Sequence, residues 1–592
     1  MNLTQKLAAF KTFTRQAWAL TQPYFFSDQK WKARALLAAI VALNLALVYM
    51  AVLFNDWNKL FYDALQEKNA AVFWHQLSRF VWLAGIFIVL AVYKFYLTQL
   101  LQIRWRAWMT SHYLQRWLAN HAFYKMELLR FAAAPNATGQ NPDNPDQRIQ
   151  DDIGQFTDYT VSLTMGLLNA VVTLVSFIGI LWGLSGGFAF ELGGAAFNIP
   201  GFMVWMAVLY SVAGSVLTHY IGRPQIALNF EQQRREADFR HHLVRVREYS
   251  EAIALDRGEA VERGQLDARF DLVLNNFLAL VRAQKRLVWF TSFFGQAAVV
   301  FPFVVAAPRF FSGAIQLGVL MQIASAFGQV QGALSWFVDS YSSLAAWRAT
   351  TDRLTSFEAS FKALAQTDQG LVATDSEVLS STDLHLTLPN GAVLLQQAQL
   401  DAQPGDTVLL QGPSGAGKST LFRALAGIWP FASGNLQRPP DSMFLPQRPY
   451  FPNGPLRNAL AYPQEAASYS DADLQDALRN ALLPGLVGRL DEAGAWSQTL
   501  SGGEQQRLAV ARVLLKKPRW IFADEATSAL DEDTENTLYK TLLAHVQRAQ
   551  GALISIAHKP SVAAFHKRRW TLESVTGEEA AGFTLRSKTE PT

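Results

Sequence analysis

The sequence predicts a membrane α-helical bundle of six spans, followed by an α/β domain with a P-loop that binds phosphate. Long apolar stretches fill the first 350 of 592 residues. Thirteen of the seventeen Trp residues also lie there, as expected where interfacial aromatics anchor membrane helices. Further on, Gly412-Pro-Ser-Gly-Ala-Gly-Lys-Ser419 matches the phosphate-binding pattern G-x-x-x-x-G-K-[ST]. We therefore predict a transmembrane domain at 1–350 and a cytoplasmic domain at 351–592.

Composition excludes several other classes of protein. The net charge is only +4, and basic and acidic residues are interspersed, so no nucleic-acid surface is expected. The chain has no Cys, which rules out disulfides, thiol catalysis and thiolate metal sites.

The first thirty residues contain Lys6, Lys11 and Arg15 and lack an uninterrupted apolar core. No signal peptide is therefore expected. The segment is interpreted as an amphipathic helix on the inner membrane surface, and a disordered leader is the alternative.

A helix needs roughly 20 apolar residues to cross a bilayer. The six predicted spans are 35–54, 80–103, 161–184, 201–221, 287–307 and 318–340. The last two are expected to be joined by a short turn around Pro308–Gly318. Lys94 is the one clear charge inside a span, and it either lines a substrate cavity or snorkels or faces the bundle interior.

Loop charges predict the orientation of the bundle. Residues 104–158 and 223–285 are rich in Arg, whereas the turn near Gly186–Pro200 has neither Lys nor Arg. By the positive-inside tendency, the two long basic segments and both termini are cytoplasmic. Their length, about 55–60 residues, predicts that the span helices continue into the cytosol and turn back near the α/β domain.

The phosphate-binding loop has the expected strand–loop–helix context, between a strand at Thr407–Gln411 and a helix at Thr420–Ala426. Its backbone amides and the helix N-terminus are predicted to cradle phosphate. Lys418 would reach the β and γ phosphates, and Ser419 would ligate Mg²⁺. The residues predicted to contact the nucleotide here are Gly412, Ser414, Gly415, Ala416, Gly417, Lys418, Ser419 and Thr420.

Two further apolar strands end in polar residues. The strand Trp520-Ile-Phe-Ala523 ends at Asp524, which is predicted to hold Mg²⁺, and Glu525 would polarise the attacking water as general base. The run Leu553-Ile-Ser-Ile-Ala-His558 places His558 near the γ phosphate.

The order of the phosphate loop, Gln447, Leu500-Ser-Gly-Gly-Glu504, Asp524-Glu525 and His558 resembles the ATPase of ATP-binding-cassette (ABC) proteins. The resemblance implies that Gln447 links nucleotide and metal to the membrane domain. It also implies that the segment with Ser501, Gly502 and Gly503 contacts the γ phosphate of the opposite subunit, and that Asp531 touches that subunit. One copy of each motif per chain predicts a homodimer with two ATPs bound head to tail.

One position departs from the ABC pattern. Leu388 stands where an aromatic residue commonly stacks on adenine. Tyr450 is the ring predicted to replace it.

Several segments resemble one branch of these transporters. They are Asn55–Leu65, Asn144-Pro-Asp-Gln-Arg-Ile149, Ser250-Glu-Ala-Ile-Ala254, Gly427-Ile-Trp-Pro430 and Leu445-Pro-Gln-Arg-Pro-Tyr450. Together they resemble SbmA/BacA-type bacterial transporters with a fused ATPase and the peroxisomal (ABCD) fatty-acid transporters. This implies a type IV, exporter-like bundle, with 144–149 and Glu251-Ala252 as coupling contacts to the ATPase. The alternative for both is local helix capping and turn formation.

The sequence therefore predicts an ATP hydrolase coupled to transport, working by alternating access in a bacterial inner membrane with its ATPase domain in the cytosol. Import of hydrophilic compounds such as peptides or cobalamin is expected, and export, or transport of fatty acyl or lipid-like cargo, is the alternative. A soluble non-transporting ABC ATPase is disfavoured by the fused spans. An ATP-gated channel is a further alternative, and unlike a transporter it would not require ATP hydrolysis that is stimulated by cargo.

Overall fold

The computed structural model describes residues 3–129, 144–185, 187–192, 195–367, 370–574 and 582–589. The chain divides into two compact units. The helical unit comprises Met1–His112 and Gln147–Leu354, and the α/β unit comprises Tyr113–Asp146 and Thr355–Thr592. Each unit is discontinuous in sequence, because the described residues between 113 and 146 belong with the later domain.

Helices, most of them long, make up most of the described chain up to residue 367. They are α1 (Leu3–Phe25), α2 (Lys30–Gln66), α3 (Ala70–Leu118), α4 (Ala122–Leu129), α5 (Pro145–Gln147), α6 (Ile153–Ser185), α7 (Phe202–Glu248), α8 (Ser250–Leu255), α9 (Glu259–Phe311), α10 (Leu317–Asp339) and α11 (Tyr341–Thr367). A 3₁₀ turn at Ala119–His121 precedes α4, and a π turn at Arg148–Asp152 precedes α6.

In the described part of the chain, six helices are long and apolar enough to cross a membrane. They contain α2, α3, α6, α7, α9 and α10. Each predicted span lies inside one of these helices or extends at most one residue beyond it. The predicted six-span bundle is therefore confirmed. α3, α7 and α9 have 49, 47 and 53 residues, so these helices continue far beyond their apolar stretches, as predicted.

The packing of the helical unit centres on α10. Phe327 and Val330 of this helix are fully buried against Phe177 and Leu181 of α6 and Ala207 of α7. Aromatic and branched side chains at helical spacing thus fill one seam, while much of the remaining surface stays apolar and exposed, as expected of helices in lipid.

The N-terminal segment forms a helix, so the disordered leader is excluded for residues 3–25. Tyr24 is fully buried and stacks on Trp105 of α3, with ring centroids 5.7 Å apart. Phe13 packs edge-on against Trp347 of α11 at 4.8 Å. These contacts attach α1 to α3 and to α11. Its place on a membrane surface stays a prediction.

Two connections differ from the sequence interpretation. The turn expected near 186–200 contains a hairpin, in which β1 (Gly187–Leu192) pairs antiparallel with β2 (Ala195–Pro200). The turn expected around Pro308–Gly318 is shorter, because α9 continues through Pro308 to Phe311. A proline removes only one intrahelical hydrogen bond, and the amides of Ser312 and Gly313 still close the last turn.

The α/β unit is built on a large mixed sheet. Its strands are β3 (Leu371–Asp375), β4 (Leu379–Thr387), β5 (Val393–Ala398), β6 (Asp401–Ala402), β7 (Thr407–Gln411), β8 (Ala432–Arg438), β9 (Ser442–Leu445), β12 (Trp520–Asp524), β13 (Ala552–Ile556), β14 (Arg568–Ser574) and β15 (Phe583–Thr589); a separate pair is β10 (Gly454–Pro455) and β11 (Ala493–Gly494). The order is β3-β8-β4-β5-β15-β14-β7-β13-β12-β9, with β6 beside β4.

Helices cover this sheet and form a separate cluster. They are α12 (Lys418–Leu425), α13 (Leu456–Ala461), α14 (Asp471–Asn480), α15 (Trp496–Thr499), α16 (Gly502–Lys516), α17 (Glu532–Arg548) and α18 (Pro560–Ala563), with 3₁₀ turns at Ala466–Ser468 and Pro484–Arg489. α13 to α16 enclose their own apolar core around Leu474, Trp496 and Leu508. α12 instead packs on the sheet, where Leu421 and Leu425 are buried with Val408 and Leu410 of β7.

Candidate nucleotide site at the sheet edge

Four neighbouring strands bring the predicted site residues to one edge of the sheet. β7, β13, β12 and β9 are adjacent and parallel. Carboxyl ends of parallel strands meet at the same edge, where α/β proteins bind ligands. The register pairs Leu410 with Ile556 and Ile556 with Asp524, so the segments that follow these strands start at the same level.

The phosphate loop leaves β7 and enters α12. Gly415 and Gly417 have φ of 80° and 88°, a left-handed conformation that residues with a Cβ rarely adopt. Ala416 is buried and fixes the loop to the core, whereas Ser414 is exposed. The first amides of α12 thus face the loop, and an N-terminus of this kind attracts phosphate.

Lys418 is folded back onto its own loop. Its Nζ donates hydrogen bonds to the carbonyl oxygens of Gly412 at 2.9 Å and Pro413 at 3.0 Å, and the residue is only 7% exposed. The ammonium is therefore held inside the cradle with two neutral acceptors, which a phosphate oxygen can replace. Thr420 in the next turn is buried.

The predicted metal ligands Ser419 and Asp524 lie together. Ser419 lies close enough to Asp524 to favour the charged form of its carboxylate. Burial raises the pKa of Asp524, and the negative charge of Glu525 adds to this, while Ser419, Arg423 and Lys418 oppose it. A hydroxyl and a poorly solvated carboxylate form an oxygen donor set that fits Mg²⁺.

The three predicted catalytic residues meet at Glu525. Gln447 Nε2 donates to one carboxylate oxygen of Glu525 at 2.8 Å, and His558 Nε2 lies 3.3 Å from the other. Glu525 itself has φ of 47°, an uncommon conformation that is typical of functional positions. The structure thus brings together side chains that are 78 and 33 residues apart in sequence (525 − 447 and 558 − 525).

The signature segment forms the N-terminus of α16. Ser501 and Glu504 make a reciprocal capping box, and these hydrogen bonds from Ser501 hold the pKa of Glu504 below its usual range. Ser501 and Gly502 are exposed, and an added Cβ at Gly503 would lie 3.4 Å from the Ala529 carbonyl. Asp531 caps α17 in the same way, by accepting from the Thr534 amide at 3.0 Å. Among the described residues, no hydrogen bond joins Ser501 to the phosphate loop.

Among the described residues, no hydrogen bond or ring contact joins Tyr450 to the phosphate loop. Its ring packs edge-on to Tyr462, and its carbonyl accepts from Arg512 of α16, so it belongs to the helical cluster. Leu388 and Leu394 instead pack against the core beneath the phosphate loop, and Leu394 lies 3.4 Å from an added Cβ at Gly417. These positions favour apolar contacts for adenine, and the role of Tyr450 stays a prediction.

Sequence reasoning missed a buried polar network next to the site. Glu535 of α17 is 1% exposed and accepts from Thr527 at 2.7 Å and Ser561 at 3.0 Å. Lys559 lies 3.6 Å from the same carboxylate and donates to the Leu530 carbonyl. The network therefore ties the segment after Glu525 to the segment after His558.

Gln506 makes a second missed contact. It lies inside α16, is buried, and holds Ser528 Oγ and the Ala529 amide at 3.1 and 2.9 Å. The sequence signal that could have identified Gln506 is a polar residue at an inward position of an apolar helix, because such a residue usually has a specific partner.

The first of the two basic segments reaches the α/β core through α4. Leu128 packs against the cluster that contains Val408 and Leu421, and Tyr124 lies close enough to Arg423 for its charge to affect the pKa of the phenol. Residues 144–149 are divided between the two units after Asp146, and in the helical unit Arg148 and Arg353 both pair with Asp152. Glu251 and Ala252 are exposed on α8. The coupling role of 144–149 and of Glu251-Ala252 stays a prediction.

Comparison with known proteins identifies the family. Residues 20–311 match the family described as ABC transporter transmembrane region 2, and residues 395–528 match ABC transporter. The chain is 34% identical over 547 residues to the inner membrane ABC transporter ATP-binding protein YddA of Escherichia coli, covering 92% of this chain and 94% of that one. The chain belongs to the ABC transporters.

More distant relatives place the transporter with the D family. It is 32% identical to ABC transporter D family member 2, chloroplastic, of Arabidopsis thaliana, covering 99% and 92% of the two chains. It is 26% identical to the human lysosomal cobalamin transporter ABCD4, covering 79% of this chain and 79% of that one. The predicted relation to ABCD transporters is confirmed, and so is ATP hydrolysis coupled to transport.

A solved structure shares the fold over nearly the whole transporter. A bacterial Atm1-family ABC exporter with ATP bound superimposes with a TM-score of 0.67 at 18% identity, covering 91% of this chain and 93% of that one. The predicted exporter-like architecture is therefore confirmed.

Proposed function

We propose that the transporter works as a homodimer by alternating access and imports hydrophilic compounds, such as peptides or cobalamin, across a bacterial inner membrane. The observation that carries the proposal is the joining, in one chain, of six membrane helices with one set of nucleotide motifs at one sheet edge. With one set per chain, a second copy supplies the signature segment that each site needs.

Hydrolysis is assigned to the side chains around Glu525. Its carboxylate acts as general base toward the attacking water, and Gln447 and His558 orient its two oxygens. Lys418 exchanges its loop carbonyl acceptors for the β and γ phosphate oxygens of ATP. Mg²⁺, held by Ser419 and Asp524 with Gln447 nearby, would neutralise phosphate charge.

Completion of the site is assigned to the partner subunit. Ser501 caps an exposed helix N-terminus, where free amides and the hydroxyl favour a γ phosphate presented from outside the chain. Asp531 caps the N-terminus of a second helix, α17. Closing two copies over two ATP molecules is the event that would drive the bundle from one access state to the other.

The cargo proposal rests on polar groups inside the helical unit and on one relative. Four polar side chains lie in the predicted spans or within a residue of them, namely Asn44, Asn55, Gln322 and Lys94. A transporter of apolar cargo alone would not need these polar groups. The related ABCD4 is a cobalamin transporter by name. Both favour hydrophilic cargo over fatty acyl species.

The test uses proteoliposomes whose ATPase domains face outward, preloaded with labelled cobalamin, a labelled peptide or a labelled fatty acid. Import predicts loss of preloaded cobalamin or peptide on addition of external ATP, and none with Glu525→Gln. Accumulation of external cargo inside the vesicles would instead establish export. Movement of the fatty acid alone would assign lipid-like cargo.

A further inference from the structure

Lys94 lies deep inside a membrane helix. It is about 21 Å from the start and about 14 Å from the end of the predicted span 80–103, at 1.5 Å per residue. Either distance exceeds the length of an extended lysine side chain, so the ammonium cannot reach the interface along its own helix.

The side chain points at a neighbouring helix rather than along α3. Its Nζ donates a hydrogen bond to Oδ1 of Asn44 on α2. Asn44 is fully buried and lies at the centre of the span 35–54, and its Nδ2 has no hydrogen-bond partner among the described residues. A cation and an unused amide donor therefore lie side by side at mid-depth.

The six predicted spans, all of them described, do not supply a counter-charge for Lys94. The six predicted spans contain one acidic residue, Asp339, and it is the last residue of α10. In the described parts of the chain, Lys94 makes no ion pair. A charge in this position is costly unless it is paired, which is why intramembrane ionisable residues usually mark a transported substrate or ion.

We infer that Lys94 and Asn44 form an anion-binding point for the cargo, which recognises a carboxylate or a phosphate oxygen. The inference rests on the proposed transport function, and it narrows the hydrophilic cargo to compounds that carry an anionic group. Lys94 supplies the charge, and Asn44 orients it and adds a neutral N–H donor. The headgroups of the surrounding bilayer stay at the interface and do not reach this depth.

The experiment compares two forms of one labelled, N-acetylated peptide, with a free C-terminal carboxylate or a C-terminal amide, in proteoliposomes of the full-length transporter. The native protein should move the acid about tenfold faster than the amide at low concentration, the ratio expected for one charge-assisted contact. Lys94→Gln should lose this preference, and Lys94→Arg should retain it. Lys68→Gln, at an exposed lysine outside the spans, is the matched control.

A further arm uses cobalamin, which carries a phosphodiester, and its movement should slow about tenfold in Lys94→Gln. Basal ATP hydrolysis should be unchanged in the Lys68→Gln control.

Equal rates for the acid and the amide in the native protein would overturn the anion site, even if the variants fail to fold. So would cobalamin movement that is unchanged by Lys94→Gln. Both results leave the transport function intact. By contrast, if no cargo moves with ATP in the native protein, the proposed function itself fails.

Discussion

At the scale of single residues, the candidate site depends on Glu525 and the two side chains that hold it. Glu525 and His558 each follow a buried strand, which is why their proximity could be anticipated from the sequence. Apolar runs ending in Asp524-Glu525 and His558 predict neighbouring strands, and parallel strands end together. Gln447 follows the half-buried β9, and only the family resemblance indicated its place at the site. The hydrogen bonds that orient Glu525 could not be anticipated, since they depend on side-chain rotamers.

Glu525→Gln should reduce steady-state ATP hydrolysis by at least about 100-fold, because an amide cannot accept a proton from water. The hydrogen bond from Gln447 can be kept by the amide oxygen, so ATP should still bind and remain trapped. The measurement is phosphate release together with retained radiolabelled nucleotide. Hydrolysis well above that of Lys418→Ala would show that another group is the base.

His566 provides a pH test of the α/β unit. Its ring is buried, with Nδ1 donating to the Val562 carbonyl and Nε2 accepting from Ser555, and burial lowers its pKa to about 4. In the unfolded chain its pKa is about 6.5. Below pH 6.5 the unfolded state therefore binds the proton first, and stability falls with pH until about pH 4.

Lowering the pH from 7 to 5 should thus cost about 2 kcal/mol through His566. His566→Asn should have a lower melting temperature at pH 7 but lose less of it on acidification than the native protein. The measurement is the melting temperature of both purified proteins at the two pH values. A parallel decrease in both would show that His566 does not contribute to the pH dependence.

At the scale of elements, the described structure shows how separate segments around the nucleotide are tied together. α16 holds Ser528 and Ala529 through Gln506, and α17 holds Thr527 and Ser561 through Glu535. The stretch between Glu525 and Asp531 is thus fixed from two sides by buried polar groups. These contacts connect the signature helix and α17 to the segment that follows Glu525.

Glu535→Gln should lower the melting temperature, because one amide replaces a carboxylate that serves two hydroxyl donors and Lys559. A loss of about 1–3 kcal/mol is expected for a buried acceptor left incompletely satisfied. Glu532→Gln, at the exposed start of the same helix, is the control and should have a small effect. Equal melting temperatures for the two variants would contradict the structural role of this network.

The elements themselves were predictable where their pattern was long. Six apolar stretches predicted six helices, and the strand–loop–helix around Lys418 was equally clear. The β1–β2 hairpin was not predicted, because its alternation of Phe188 and Phe190 is short and lies beside a turn signal. α9 passes Pro308 because a proline removes only one intrahelical hydrogen bond, and the sequence alone does not show that the other hydrogen bonds of that turn form.

At the scale of the whole molecule, each chain carries one phosphate loop and one signature segment. In the proposed homodimer, Lys418 of one copy and Ser501 of the other hold the same ATP. Lesions placed in different chains can distinguish this arrangement from one in which each chain completes its own site.

We expect a mixed dimer of Lys418→Ala and Ser501→Arg, both carrying Glu525→Gln, to retain one ATP per dimer. One of its two sites combines both lesions, whereas the other keeps an intact Lys418 and an intact Ser501. Each variant alone should retain none, since every site of those dimers carries one lesion, and Glu525→Gln without them should retain two. Differently tagged chains, purified on both tags in sequence, allow the bound nucleotide to be counted. A mixed dimer without ATP would mean that the two motifs act on the same chain's nucleotide, and the head-to-tail homodimer would be wrong.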